Sequence, residues 1–210
     1  MVTKEEFHQA LVDRHGLENQ KKFDDACVAI CGLGGLGSNI ALCLARVGVG
    51  KLILIDFDVV DVTNLHRQQY KITQVGEPKT KALKENLLEI NPFIEIVTHQ
   101  IKLDEDNTAG LIEDADVVCE AFDKAECKSM LADIVFTNYP DKYLVSGSGM
   151  AGFSSVNDIV TRKITPKFYV SGDGVSDVND GIGLVASRVM TCAGHEAHMV
   201  ISLLRGEITA

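Results

Sequence analysis

Basic residues are in short supply in this chain: 20 Lys and Arg stand against 30 Asp and Glu, giving a formal net charge of -10. Binding to a nucleic-acid backbone needs clustered cations that displace counterions, so the scatter of Lys and Arg among more numerous acids argues against a DNA or RNA surface. A polyphosphate ligand must therefore meet a local basic site. No apolar run approaches the ~20 residues of a membrane helix, and the opening stretch MVTKEEFHQALVDRHG lacks a signal-peptide core, so a cytoplasmic protein without a membrane partner is expected. No CxxC pair occurs among Cys27, Cys31, Cys43, Cys119, Cys127 and Cys192, which excludes a zinc clip or redox pair of the usual spacing. Most of these thiols lie in apolar stretches, where cysteine behaves as a small reduced hydrophobe. Internal repeats and low-complexity tracts are also absent.

What is present suffices for a substantial core. With 46% hydrophobic residues over 210 positions, roughly 70–75% of the unfolded surface can leave water on folding. After a polar helical arm at about 1–25, Cys27-Val-Ala-Ile-Cys31 reads as a buried parallel strand and a glycine loop follows it. Ile40, Ala41, Leu44 and Val47 then recur at helical spacing, and Lys51–Asp56 supplies a second strand. Pro78 opens a helix with Leu83, Leu87 and Ile90 on one stripe, and Pro92 ends it. Strands are expected at 94–98, 117–121 and 143–147, with a helix between the last two. Extended pieces follow at 156–163 and 168–170. A glycine- and aspartate-rich loop spans 171–183, and a final helix at about 184–205 turns Val189, Ala193, Ala197, Val200 and Leu204 inward. The alternation predicts one α/β domain over 1–210: Rossmann-like, a mostly parallel open sheet with helices on both faces, and antiparallel strands toward the C-terminal part. Ligands of such sheets bind outside the carboxyl ends of the strands.

Chemistry-bearing residues fall at that edge. Gly32, Gly34, Gly35 and Gly37 form G-x-G-x-x-G between a strand and a helix, and Asp56 closes the next strand. Glycines admit phosphate to the backbone, the helix N-terminus offers free N–H groups, and the acid can accept ribose hydroxyls. A ligand-free structural turn is the alternative, and taken alone the pattern would suit a nicotinamide or flavin oxidoreductase. The following segment shifts that balance. Asp58, Asn64, Arg67 and Gln68 lie just beyond the strand, and Lys79 begins the next helix. A dinucleotide needs no cationic clamp, whereas a triphosphate does; at 4 Å a charge pair is worth roughly 4 kcal/mol at an effective dielectric of 20, against about 1 in water. Arg67 and Lys79 can hold the β- and γ-phosphates, while a solvated polar loop is the bland reading. Asp123 ends the strand Val117–Asp123 at the same edge, placed either to bind Mg²⁺ beside phosphates or to cap the helix that follows.

The segments GLGGLGSNIA, LIDFDVVDVTNLHRQ, VGEPKTKALKENLLEINP and EAFDKAE resemble the adenylating core of the ThiF/MoeB/HesA family, relatives of ubiquitin-activating enzymes, across about residues 15–205. The stretches SGSGMAGF and FYVSGDGVSD are most similar to the compact ThiF type. The resemblance implies ATP-dependent adenylation of the C-terminal glycine carboxylate of a ThiS-like sulfur carrier ending in Gly-Gly, within thiamine thiazole biosynthesis. It also implies that Gly35 and Asp56 contact the nucleotide, that Asn64, Arg67, Gln68 and Lys79 surround the phosphates, that Asp123 holds Mg²⁺, and that the protein is a homodimer.

The chain departs from the family in three ways. It lacks the two CxxC zinc pairs of larger relatives, so no structural zinc is expected, and residues 128–191 hold no cysteine for a covalent link to the carrier. The arm also lacks RY-x-RQ, leaving Arg14 as the candidate for reaching a partner's site. A MoaD-like carrier, a tRNA-linked carboxylate, an NAD-dependent oxidoreductase and a non-catalytic scaffold are the rival readings. His195 and His198, one turn apart without a third ligand, read as packing or surface residues rather than a metal pair.

Overall fold

A computed structural model describes residues 2–181 and 183–207, apart from the Asp180 side chain. Of the expected 171–183 loop, Ile182 thus lies outside the described residues. The arm is helical: α1 (Lys4–His15) starts at a capping box, in which Thr3 Oγ1 accepts from Glu6 N–H and Glu6 accepts from Thr3 N–H. It is followed by α2 (Leu17–Asp24). The chain then runs β1 (Cys27–Cys31), α3 (Gly35–Val47), β2 (Lys51–Ile55), α4 (Lys79–Leu88), β3 (Glu95–His99), α5 (Thr108–Leu111), β4 (Val117–Glu120), α6 (Ala125–Asn138), β5 (Tyr143–Gly147), β6 (Val160–Thr165), β7 (Phe168–Gly172) and α7 (Ala186–Arg205).

The seven strands form one sheet in the order β3-β2-β1-β4-β5-β7-β6. Every neighbouring pair is parallel except β6 with β7, so the antiparallel element expected toward the C-terminal part is that terminal hairpin. Both faces are buried, which is why β1 carries no alternation of apolar and polar residues. Val28 and Ile30 join a core with Ile40, Leu44 and Leu83 of α3 and α4 and Val189 and Val200 of α7. Cys27, Ala29 and Cys31 face the opposite core, with Leu131 and Val135 of α6. Chain order reverses between β1 and β4, so the crevice outside their carboxyl ends is the switch point where such sheets bind ligands.

Local chemistry adjusts several expected boundaries. The piece at 156–163 divides because Ser155 Oγ accepts from Asn157 N–H and winds Val156–Asp158 into a 3-10 turn before β6 begins. On α7, Leu203 is buried and Leu204 only half-buried, while Arg188 and Glu196 turn inward beside the expected apolar stripe. No helix among the described residues is long and apolar enough to cross a membrane.

Candidate active site

The glycine turn owes its shape to packing at three of its four glycines. Gly32 has φ +93°, and a side chain there would meet the Ala121 carbonyl oxygen at 2.8 Å. At Gly37 a Cβ would lie 1.9 Å from the Gly32 carbonyl oxygen, and at Gly35 it would lie 2.8 Å from Val189 Cγ1. Gly34 differs. The nearest atom to a Cβ there is Gln68 Nε2 at 3.8 Å, so no protein atom requires that glycine. Gly34 is the N-cap of α3 and no side chain caps the helix, leaving first-turn N–H groups without a side-chain partner, the arrangement that receives anions.

Asp56, directly after β2 and 8% exposed, is fixed by two backbone donors. Its Oδ2 accepts from Leu33 N–H at 2.6 Å and its Oδ1 from Asp58 N–H at 2.8 Å. The Tyr70 hydroxyl donates to the Leu33 carbonyl at 2.7 Å, clamping the turn from the other side. Burial, together with the charges of Asp56 and Asp58, pushes the Tyr70 phenol well above its ordinary range, so it remains a donor. Lys79 begins α4 and is 5% exposed; its Nζ donates to Asp58 Oδ2 at 2.9 Å and lies 4.0 Å from Asp56 Oδ2. The ammonium is thus held by acids at the turn rather than standing bare.

Arg67 approaches from the far side of Gly35, its Cγ 3.6 Å from where a Cβ would sit. Asn64 Oδ1 accepts from Arg67 Nη2 at 2.9 Å, and Asn39 Nδ2 ties the Arg67 and Gly35 carbonyls together at 3.1 and 2.6 Å. Burial lowers the guanidinium pKa while the charge of Asp123 opposes that shift, which places the two side chains within electrostatic reach. Arg67 Nε and Gln68 Oε1 are buried without a protein partner. Glu77 Oε2, Arg188 Nε and Glu196 Oε2 also lack a hydrogen-bond partner elsewhere among the described residues, but only the pair at 67 and 68 adjoins the glycine turn, where a ligand or water can satisfy it.

Asp123 is exposed and makes no hydrogen bond or ion pair among the described residues. It does not cap α6, whose N-cap is Lys124 without a side-chain bond. An unpartnered carboxylate beside a cation-lined anion cradle suits Mg²⁺, which takes one or two carboxylates and keeps phosphate and water as its other ligands. The described residues contain no group of three or more His, Cys, Asp or Glu able to hold a metal by themselves.

The expected site residues therefore meet at one rim, with Gly32, Gly34, Gly35, Gly37, Asp56, Asp58 and Lys79 on one side and Asn64, Arg67, Gln68 and Asp123 on the other. The Arg14 side chain is exposed on α1, which packs through Leu11 on Gly48 and through Phe7 on Phe93, near the amino ends of β2 and β3. That is the opposite edge of the sheet. His195 is half-buried with Nδ1 3.4 Å from Thr161 Oγ1, and His198 is exposed. Burial raises the thiols of Cys31, Cys119 and Cys192 far above the ordinary range, so each is a protonated core residue.

Sequence reasoning missed two supports. One is the group formed by the buried Glu120 and Ser146 with the half-buried Lys128. The other is Arg188, whose Nη1 donates to the Ser154 and Ser155 carbonyls at 2.6 Å each and whose Nη2 donates to Asp173 at 2.5 Å. Arg188 thereby pins the 149–155 and 172–176 segments to α7, where Val189 supports Gly35. His66 adds a second tie, from its Nε2 to the Leu184 carbonyl at 3.1 Å.

The chain matches the ThiF family over residues 8–207. It is 38% identical over 144 residues to the "Adenylyltransferase and sulfurtransferase MOCS3" of Caenorhabditis briggsae, covering 68% of this chain and 35% of that protein. It is 34% identical over 197 residues to the "Probable adenylyltransferase/sulfurtransferase MoeZ" of Mycobacterium tuberculosis, covering 89% of this chain and 50% of that one. The chain thus spans between about a third and a half of these relatives. Among solved structures, E. coli tRNA N6-threonylcarbamoyladenosine dehydratase, TcdA, in complex with ATP superposes with a TM-score of 0.87 at 22% identity, covering 99% of this chain and 98% of that one. E. coli MccB with ATP gives 0.70 at 21% identity, covering 96% and 64%. These structures share the fold.

Proposed function

From the premise that the chain belongs to the ThiF family, we propose that it catalyses ATP-dependent adenylation of a carboxylate, that of the C-terminal glycine of a ThiS-like sulfur carrier. A carboxylate is a poor acyl donor because its leaving group would be oxide. In the proposed step a carboxylate oxygen attacks the α-phosphorus of ATP in line. The P–O bond to the β-phosphate breaks with its electron pair leaving on pyrophosphate, and an acyl-adenylate remains for a sulfur donor. No side-chain nucleophile is required.

The observation that carries this reading is the convergence of two cations and open backbone amides on one turn, with Arg67 against Gly35 and Lys79 4.0 Å from the Asp56 oxygen that anchors Leu33. Asp56 is positioned for the ribose. Asn64, Arg67, Gln68 and Lys79 receive the phosphates, and the buried unpartnered Gln68 Oε1 and Arg67 Nε supply unused capacity there. Asp123 would hold Mg²⁺, which when bound neutralises charge building up on pyrophosphate. The active form in this reading is a homodimer, with Arg14 of one copy extended toward the other.

Incubation with ATP, Mg²⁺ and a Gly-Gly-ended ThiS-like carrier should yield a carrier–AMP adduct by intact mass, and the carrier lacking its final glycine should yield none. A tRNA-linked carboxylate is the second reading, favoured by the coverage of 98% of the TcdA chain and opposed by the net charge of -10. Adduct formation on threonylcarbamoyladenosine-bearing tRNA, with none on the carrier, would replace the first reading by the second. Binding of NAD without binding of ATP would sink both.

A further inference from the structure

Among the described residues Asp123 has no hydrogen bond to hold its carboxylate in place, so its position depends on the backbone turn that presents it. That turn is clamped from behind by an ion pair between a buried acid and a half-buried lysine. Glu120, the last residue of β4 and 1% exposed, accepts from Phe122 N–H through Oε1 at 2.7 Å. Lys128 Nζ, from the first turns of α6, donates to both Glu120 oxygens at 3.0 and 2.8 Å and to the Gly147 carbonyl at 3.0 Å. Ser146 Oγ donates to Glu120 Oε2, closing the group across β5. From the front, the absent side chain at Gly32 lets the glycine turn rest on the Ala121 carbonyl, 2.8 Å from where a Cβ would lie. The 121–123 turn is wedged between the phosphate cradle and the Glu120–Lys128 pair.

Glu120 is buried while the Lys128 side chain keeps 29% of its surface, so the carboxylate bears most of the desolvation cost and the lysine reaches in from the edge to offset it. What the charges add is direction: Glu120 fixes the Phe122 amide, and Lys128 locks the start of α6 to the ends of β4 and β5. We infer that Glu120 and Lys128 are positioning residues that act through the 121–123 turn to aim Asp123 at the magnesium of the bound nucleotide. The inference rests on the proposed adenylation reading, because it assigns Asp123 a metal.

The test is calorimetric binding of ATP by the full chain, with and without Mg²⁺, which needs no carrier and no turnover. Magnesium should tighten ATP binding by the wild type, and Asp123→Asn should abolish that gain. The double variant Glu120→Gln with Lys128→Met removes both charges together, so no unpaired ion is left buried. It should lose about tenfold or more of the apparent Mg²⁺ affinity, the usual effect of disturbing groups behind a metal ligand, with magnesium-free ATP affinity unchanged within about twofold. Ser146→Ala, which removes one bond and no charge, should show a smaller loss in the same direction and serves if the double variant melts early. Lys128→Arg should retain the gain. Adding Asp123→Asn to the double variant should bring it to the level of Asp123→Asn alone and no lower, since both changes act on one ligand.

A folded clamp variant with the wild-type magnesium gain, alongside an Asp123→Asn that has lost it, overturns the inference and leaves the adenylation reading standing. An Asp123→Asn with the gain intact removes the metal role of Asp123 and the inference together. Failure of the wild type to bind ATP at all removes the functional reading first.

Discussion

Gly34→Ala separates ligand binding from folding better than the same change at Gly32, Gly35 or Gly37, where the new Cβ would clash. The added methyl would find nothing closer than Gln68 Nε2 at 3.8 Å, an ordinary contact, so its cost to the fold is confined to the backbone, whose φ -78° and ψ -144° lie outside the main regions open to alanine. That backbone strain and the weaker N-cap together cost about 1–3 kcal/mol, so the chain should still fold, with a melting transition lowered by roughly 2–4 °C for each kcal/mol. The same methyl would, however, stand in the space through which phosphate reaches the first-turn amides of α3. Crowding of one carbon into a filled site costs about 1–3 kcal/mol, so ATP should bind about 10- to 100-fold more weakly by calorimetry. Gly37→Ala is the counterpart: its Cβ would fall 1.9 Å from the Gly32 carbonyl oxygen, so the protein should lose stability outright. If Gly34→Ala binds ATP as the wild type does, the cradle is not where phosphate sits and the reasoning fails.

Two further predictions concern groups on α7. Glu196 is fully buried with Oε2 unpartnered; burial, followed by the charge of Glu120, pushes its carboxyl up from 4.5 to about 8. Its proton is thus bound more tightly in the folded chain than in the unfolded one, so the stability that Glu196 contributes should be fullest below about pH 4.5 and be lost as pH rises toward 8, by roughly 2–3 kcal/mol between pH 5 and 7. Glu196→Gln should flatten that slope in urea titrations, and parallel wild-type and variant curves would contradict the assignment. Arg188→Met breaks a buried pair with Asp173, whose side chains are 2% and 5% exposed, and should cost about 3–5 kcal/mol in the same titrations. A loss under about 1 kcal/mol would show that the 149–155 and 172–176 segments are held by something else.

The parts of the site legible in the sequence were those set by local rules. The glycine turn could be read because contacts within one strand–turn–helix unit demand missing side chains. The strands could be read because burial on both faces gives unbroken apolar runs, as in β1. The pairing of Lys79 with Asp58, and the Tyr70 hydroxyl on the Leu33 carbonyl, arise only when distant segments fold together. Glu120, Lys128 and Ser146 stayed hidden because 8 and 26 residues separate Glu120 from its partners, a spacing without a motif. On α7, helical periodicity identified the inward stripe through Val189 and Ala193, but it treated polar neighbours as solvent-facing. Arg188 and Glu196 escaped for that reason, since each is buried by tertiary contact rather than by its own hydrophobicity.

The decisive measurement is carrier-dependent exchange of labelled pyrophosphate into ATP, run with wild type, Arg67→Ala, Lys79→Ala and Asp123→Asn. Adenylation at the glycine turn predicts exchange that requires a Gly-Gly-ended carrier and falls by about 100-fold or more in each variant, as expected when a charge stabilising the departing pyrophosphate is removed. Exchange without carrier, or exchange that survives loss of Arg67 and Lys79, would contradict the central claim.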